Sequence, residues 1–449
     1  MNHPGTAIRV LLLLALGLGL PGLSSGAEIQ RLSFPNGLTV LLLERHAHPY
    51  VAVHVRVRAG SLHDPPGKAG LAHLTAALLT QGTATRSATE IAETIEFVGG
   101  SLTSGSGRDH AQAALTVLKR DLELGMALLA DVLRRPSFDP EELERKRSQI
   151  LASLRAQEDE PGTVAAKAFA RVLFGSHPYG HPVEGTPETL ASITREDVVA
   201  FHRRWYRPER TFVGIAGDVT AREVRLLVQR YLGDWEPGRE KPPVPPPPPR
   251  PKRSVTHRIH RNITQCNIVL GHLGIRRDNP DYYAFYVMNY ILGGGGFSSR
   301  LMATVRDAKG LAYAVSSGFR AGLAPGEFRV VLQTRNASAR EAIQAVLTEI
   351  RRIRESPVSP RELEDAKAYL VGSFPLRLDT NRKAAPYLSY IGFYGLGLDY
   401  FEAFPRRIRS VTREDVLRVA RQYLHPEAHV LVVVGNLEEA GFAGGKATP

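Results

Sequence analysis

Apolar positions along the chain switch between two periods. Runs of Val, Leu and Ala at residues 37–43 and 50–57 predict two strands, paired with each other across the turn at 44–49. Helical spacing follows: Leu71, Leu74 and Leu78 recur on one face and Gly82 sits where the helix should stop, so His73, Ala76 and Ala77 share the neighbouring face. Further helices are predicted over residues 89–98, 120–133, 140–157 and 165–173, then a strand at 265–271, a helix at 282–292 and a strand at 312–319. Strands and helices that segregate in runs predict an α+β fold, each unit an antiparallel-rich sheet with helices packed on one face.

The pattern repeats. Ser192-Ile193-Thr194-Arg195-Glu196-Asp197-Val198 returns 218 residues later as Ser410-Val411-Thr412-Arg413-Glu414-Asp415-Val416, and Pro208-Glu209 returns as Pro426-Glu427. Each copy reads as a Thr-capped helix, a proline turn and a buried strand. A second echo links Pro140-Glu141-Glu142-Leu143-Glu144 to Pro360-Arg361-Glu362-Leu363-Glu364. Solenoid repeats run about 20–50 residues, so a period this long implies two homologous domains. They are expected at residues 28–236 and 255–440, with a cavity between them. Residues 237–254 join them; their prolines favour an extended, semi-rigid spacer. Residues 441–449 read as a disordered tail.

Residues 1–27 have the form of a secretory signal peptide: Arg9 is the one charged side chain, an apolar run follows, and Ser25-Gly26-Ala27 is a small-residue cleavage site. The expectation is an exported protein, periplasmic in a Gram-negative cell, without membrane insertion. Removing residues 1–27 takes the net charge from +12 to +11. No nucleic-acid module accompanies that charge, so nucleic acid is not an expected partner. Cys266 is alone, so stability must come from apolar burial, for which about 420 residues suffice.

The chemistry is concentrated in two places. His73-Leu74-Thr75-Ala76-Ala77 resembles the His-x-x-Glu-His motif of the pitrilysin/insulinase family of zinc peptidases, with the general base and the second ligand replaced by Ala76 and Ala77. The family's third ligand, a Glu from a second helix, falls on Ser153, and the companion Glu seven residues earlier falls on Lys146. A catalytic zinc needs three protein ligands and a carboxylate to take the proton from its water. One imidazole cannot supply that set, and His73 reads as a partly buried, hydrogen-bonded helix residue. The resemblance also covers His177-Pro178-Tyr179, Gly185-Thr186 and Gly293-Gly294-Gly295-Gly296-Phe297-Ser298-Ser299-Arg300-Leu301. Its most specific part is Arg306 and Tyr313, seven residues apart in Arg306-Asp307-Ala308-Lys309-Gly310-Leu311-Ala312-Tyr313. In the family such a pair faces the zinc and holds the substrate backbone.

The resemblance implies a chain that is no enzyme by itself, with no cofactor of its own. It would pair with a catalytic sister chain that has an intact His-x-x-Glu-His and carries the zinc, and Arg306 and Tyr313 would contact a peptide or unfolded protein there. The alternative is a structural or peptide-binding scaffold without proteolysis. Other signals are weaker. His177 and His181 are two ligands at most and read as a structural loop, Gly293 to Gly296 lacks the Lys-Ser/Thr ending of a phosphate loop, and Ser298, Ser299 and Cys266 have no local base motif.

Overall fold

The computed structural model describes residues 28–238 and 247–443. The expected signal peptide, residues 239–246 of the proline-rich spacer and residues 444–449 of the tail lie outside the described residues.

Two sheets organise the chain. The first holds β1 (Gln30–Ser33), β2 (Thr39–Glu44), β3 (Tyr50–Val57), β4 (Ser101–Ser106), β5 (Ala111–Leu118) and β6 (Thr211–Gly217), in the order β1-β2-β6-β3-β5-β4. The second holds β7 (Val255–His260), β8 (Gln265–Leu273), β9 (Ala312–Phe319), β10 (Glu327–Arg335) and β11 (Val430–Gly435), in the order β7-β11-β8-β10-β9. All neighbours are antiparallel except β2 with β6 and β7 with β11.

One expectation is corrected. β2 and β3 do not pair with each other; β6 enters between them, parallel to β2 and antiparallel to β3. The physical reason is burial. β6 is apolar on both faces, and a strand with no wet face belongs inside a sheet, with its hydrogen-bonding groups taken up on both edges. β11 does the same between β7 and β8, so the internal repeat reappears as topology. The repeated helices Arg195–Trp205 and Arg413–Tyr423 both start in capping boxes, Thr194 with Asp197 and Thr412 with Asp415.

Each sheet carries helices of its own half on one face, as expected, and a helix of the other half on the opposite face. Helix Asn381–Tyr394 lies on β2, β3 and β6, while helix Pro161–Phe174 lies on β8 and β11. The strands show this by strict alternation. Val40, Leu42, Val51 and Val53 face the core of the first half, whereas Leu41, Leu43 and Ala52 join Ala384, Ala385 and Leu388 of the exchanged helix. In the second sheet Cys266, Ile268 and Leu270 face one core, while Val430, Val432 and Val434 meet Val164, Phe169 and Leu173. A cavity of about 580 Å³ opens between the halves, lined by Arg45 and Tyr50 on one side and Phe374, Leu378 and Asn381 on the other.

Close approach of the exchanged helix depends on Gly214 of β6. A Cβ there would strike the Ala385 carbonyl oxygen and lie 2.6 Å from the Ser389 nitrogen, both of them backbone atoms that cannot step aside. Gly214→Ala is expected to cost about 1–3 kcal/mol by overpacking, read as a lower midpoint in urea unfolding.

Candidate functional site

The helix that bears His73 is Leu71–Leu78. Its entry is held by Gly70 at φ +95° and by the buried Asp64 carboxylate, which accepts from the N–H groups of Gly70 (2.9 Å) and Ala72 (2.8 Å). Desolvation pushes the Asp64 carboxyl up to about 7. His73 is half-buried, with a ring nitrogen 3.4 Å from the Ser106 hydroxyl, and burial lowers its pKa against the attraction of Glu184. Ala76 is fully buried and Ala77 half-buried, and neither offers a donor atom. Helix Pro140–Glu158 packs alongside. On it Lys146 is half-buried, while Ser153 is exposed and accepts from Gln157 of its own helix at 3.4 Å. These residues do not fit a zinc ion: one imidazole, two methyl groups, an ammonium and a hydroxyl make no ligand set. Among the described residues no cluster of three or more His, Cys, Asp or Glu is placed to hold a metal.

The second half presents the other element. The segment Met302–Ala308 is wound as a π-helix, and it ends in an αL turn: Gly310 at φ +61° donates to the Arg306 carbonyl, and Leu311 donates further back to the Val305 carbonyl, each at 2.9 Å. The turn delivers the chain into β9, whose second residue, Tyr313, is 87% exposed. Arg306 and Tyr313 come together, with the guanidinium carbon 5.5 Å from the phenol ring centre. A third member was not anticipated. Phe297, 74% exposed, stands 4.9 Å from the same guanidinium, so Arg306 has two aromatic neighbours. Among the described residues, the one carboxylate within ion-pair reach is Asp307, at 3.9 Å. Aromatic contacts fix the plane of the guanidinium and leave its N–H edge available for a carbonyl or carboxylate. The only hint of Phe297 in the sequence is a large aromatic directly after four glycines. Those glycines serve close packing: a Cβ on Gly293 would lie 2.6 Å from the Ser317 nitrogen of β9.

Among the described residues, no hydrogen bond, ion pair or ring contact joins His73 to Arg306 or Tyr313. His177 accepts from the Tyr179 N–H at 3.1 Å and His181 lies 3.1 Å from the Pro182 carbonyl, so both imidazoles serve their own loop. Cys266 is buried, its thiol pushed up to about 11 by desolvation, which leaves it unreactive near neutral pH.

Where the halves meet, burial depresses two histidines. His54 sits 2.8 Å from the Ser389 hydroxyl and is pushed down to about 3 by desolvation and then by Arg56; His110 is also pushed down to about 3, and accepts from Arg56 at 2.5 Å. An unfolded histidine takes up its proton near 6.5. Between that pH and about 3 the unfolded chain therefore binds more protons, and stability rises with pH. Acidification from about pH 7 to about pH 4 is expected to lower the unfolding free energy progressively, and His54→Gln with His110→Gln to flatten that slope in urea titrations.

Two family models match the chain: "Insulinase (Peptidase family M16)" over residues 39–187 and "Peptidase M16 inactive domain" over residues 192–370. An uncharacterized zinc protease of Mycobacterium leprae is 31% identical over 415 residues, 89% of this chain and 90% of that protein. The chain belongs to the insulinase family, peptidase family M16. An uncharacterized zinc protease of Bacillus subtilis is 27% identical, with 79% of this chain and 86% of that protein aligned. Among solved M16 structures, a peptidase M16 inactive domain from Pseudomonas fluorescens superposes with a TM-score of 0.86 at 32% identity, covering 91% of this chain and 98% of that one. A protease from Helicobacter pylori shares the fold, with a TM-score of 0.85 at 20% identity over 91% of this chain and 99% of that one.

Proposed function

We propose that this chain is an exported, non-catalytic M16 subunit that pairs with a zinc-bearing sister chain and completes its peptide site with Arg306 and Tyr313. The observation that carries the reading is an asymmetry. The metal-site positions hold Ala76, Ala77 and Ser153, while Arg306 stays beside the exposed rings of Phe297 and Tyr313. A guanidinium edge and a phenol side by side can hydrogen-bond a peptide carbonyl and stabilise the oxyanion that grows when the carbonyl is attacked. The sister chain's zinc would supply the activated water. Export rests on the pattern of residues 1–27.

The test is to purify this chain alone and together with a family member that retains His-x-x-Glu-His, then measure bound zinc and peptide hydrolysis. This chain alone is expected to bind less than one zinc per chain and to cleave nothing, and the pair to cleave in a chelator-sensitive way. Chelator-sensitive cleavage by the single chain would overturn the reading, and a stable pair in which this chain adds no activity would make it a scaffold.

A further inference from the structure

A smaller cavity between the halves, of about 250 Å³, is unlike the rest of the interface. Arg56 of β3 and Arg377 line it together with Tyr282, Tyr286, Tyr387 and Tyr390. The phenols are half-buried, so the cavity communicates with solvent. Arg377 donates to the Tyr286 hydroxyl from both terminal nitrogens at 3.3 Å. Arg56 donates to the Ser389 hydroxyl at 3.2 Å and to the His110 ring at 2.5 Å. Behind the wall, the buried Arg277 donates to Tyr390 and, at 3.2 Å, to Tyr400, with the Tyr282 ring centre 3.8 Å away.

Every one of these partners is neutral. Among the described residues no carboxylate lies within ion-pair distance of Arg56, Arg277 or Arg377. The acids nearby are engaged elsewhere: Asp278 with Arg276 at 2.9 Å, Asp379 with Lys383 at 2.9 Å, and Asp109, which attracts Arg56 through space, with two tyrosine hydroxyls and a backbone N–H. Arg277 is buried and Arg56 and Arg377 are half-buried, all without a counter-charge, which is costly, so the two guanidinium groups that line the void, with Arg277 behind them, leave a positive site to be filled. The walls specify the rest of the ligand. Aromatic faces accept a planar apolar body, and the volume falls below the roughly 300 Å³ at which drug-sized sites begin.

We propose that this cavity binds a small molecule consisting of one aromatic ring and one oxyanion, carboxylate or phosphate. The oxyanion lies against Arg377 and Arg56, and the ring lies among the tyrosines. The site is independent of the peptide-contacting reading of Arg306 and Tyr313 and stands or falls apart from it.

Isothermal titration of the full mature chain at constant ionic strength tests it, with phenyl phosphate, benzoate, inorganic phosphate and benzyl alcohol as probes. Saturable one-site binding of phenyl phosphate or benzoate is expected, at least tenfold tighter than inorganic phosphate or benzyl alcohol, and the tighter of the two assigns the oxyanion. Arg377→Gln should weaken it at least tenfold, and Arg222→Ala, on the exposed face of helix Ala221–Leu232, should leave it unchanged. If Arg377→Gln does not fold, Arg377→Lys, which keeps the charge and loses the fork, should weaken it severalfold. Absence of saturable binding by both aromatic anions overturns the proposal. So does benzyl alcohol or inorganic phosphate binding as tightly, or affinity untouched by the Arg377 variants.

Discussion

Arg306→Ala is expected to lower kcat/KM of the proposed pair with a zinc-bearing sister chain by about 10²–10³, the usual loss when one donor to a developing oxyanion is removed. The fall should lie mainly in kcat, because a donor aimed at charge that grows during attack contributes little to the ground state. Tyr313→Phe keeps the ring that flanks the guanidinium and removes only the hydroxyl, so its effect should be smaller, about tenfold. Phe297→Ala separates positioning from contact. It deletes one of the two aromatic faces, 4.9 Å from the guanidinium carbon, and leaves every donor in place. A rise in KM with a modest fall in kcat is expected, and Phe297→Tyr should restore both. Phe297 and Tyr313 are exposed and Arg306 is half-buried, so circular dichroism should show each variant folded as the parent. Unchanged kinetics in Arg306→Ala and Tyr313→Phe would remove the completing role.

Part of this site is legible in the sequence because it obeys a period. His73, Ala76 and Ala77 fall on one helical face by counting, and the absence of carboxylates from Arg145 to Gln157 is visible without a structure. Arg306 and Tyr313 come together across a helix end, and the Gly310 stop signals that end. Phe297 obeys no period. It reaches Arg306 because two π-wound segments, Tyr290–Gly294 and Met302–Ala308, flank the glycine passage, and such winding shifts side chains off the ordinary helical register. Asp64 escapes notice for a similar reason: a cap six residues before its partner, outside the helix, matches no local capping pattern.

The fold divides the same way. Helix starts were readable from Thr194 and Thr412, whose side chains accept from the third residue onward. The 218-residue repeat was readable as well, and its two copies form equivalent strands, β6 and β11. Partnership at long range was not. Apolar β2 and β3 announce burial without naming the strand between them. Likewise Val164, Phe169 and Leu173 define a buried helix face without saying that the sheet it covers belongs to the other half.

Asp109→Ala is expected to be the most destabilising single change at the contact between the halves. Asp109 is 5% exposed and stands in the first half, yet its carboxylate accepts from the Tyr394 hydroxyl at 2.8 Å and the Leu323 N–H at 3.0 Å in the second, as well as from the Tyr179 hydroxyl. Tyr179 in turn accepts from the Ala324 N–H at 3.2 Å, so one side chain ties the 178–180 turn, the 321–326 loop and the exchanged helix. The fit leaves no slack: a Cβ on Gly322 would lie 2.5 Å from the carboxylate. Burial and the adjacent carboxylate both raise the pKa of Tyr179 and Tyr394, so each remains a donor across the ordinary pH range. Alanine would strand these donors. At roughly 1–3 kcal/mol for each buried donor left dry, and with Tyr394 half-buried and open to water, the loss should be about 3–5 kcal/mol. Asp109→Asn retains one acceptor oxygen and should lose about half as much. Urea unfolding of the two variants measures both, and because the tie crosses the halves, Asp109→Ala should also expose the 321–326 loop to proteolysis before the sheets unfold. A loss below about 1 kcal/mol would mean that apolar packing of the exchanged helices alone holds the halves together.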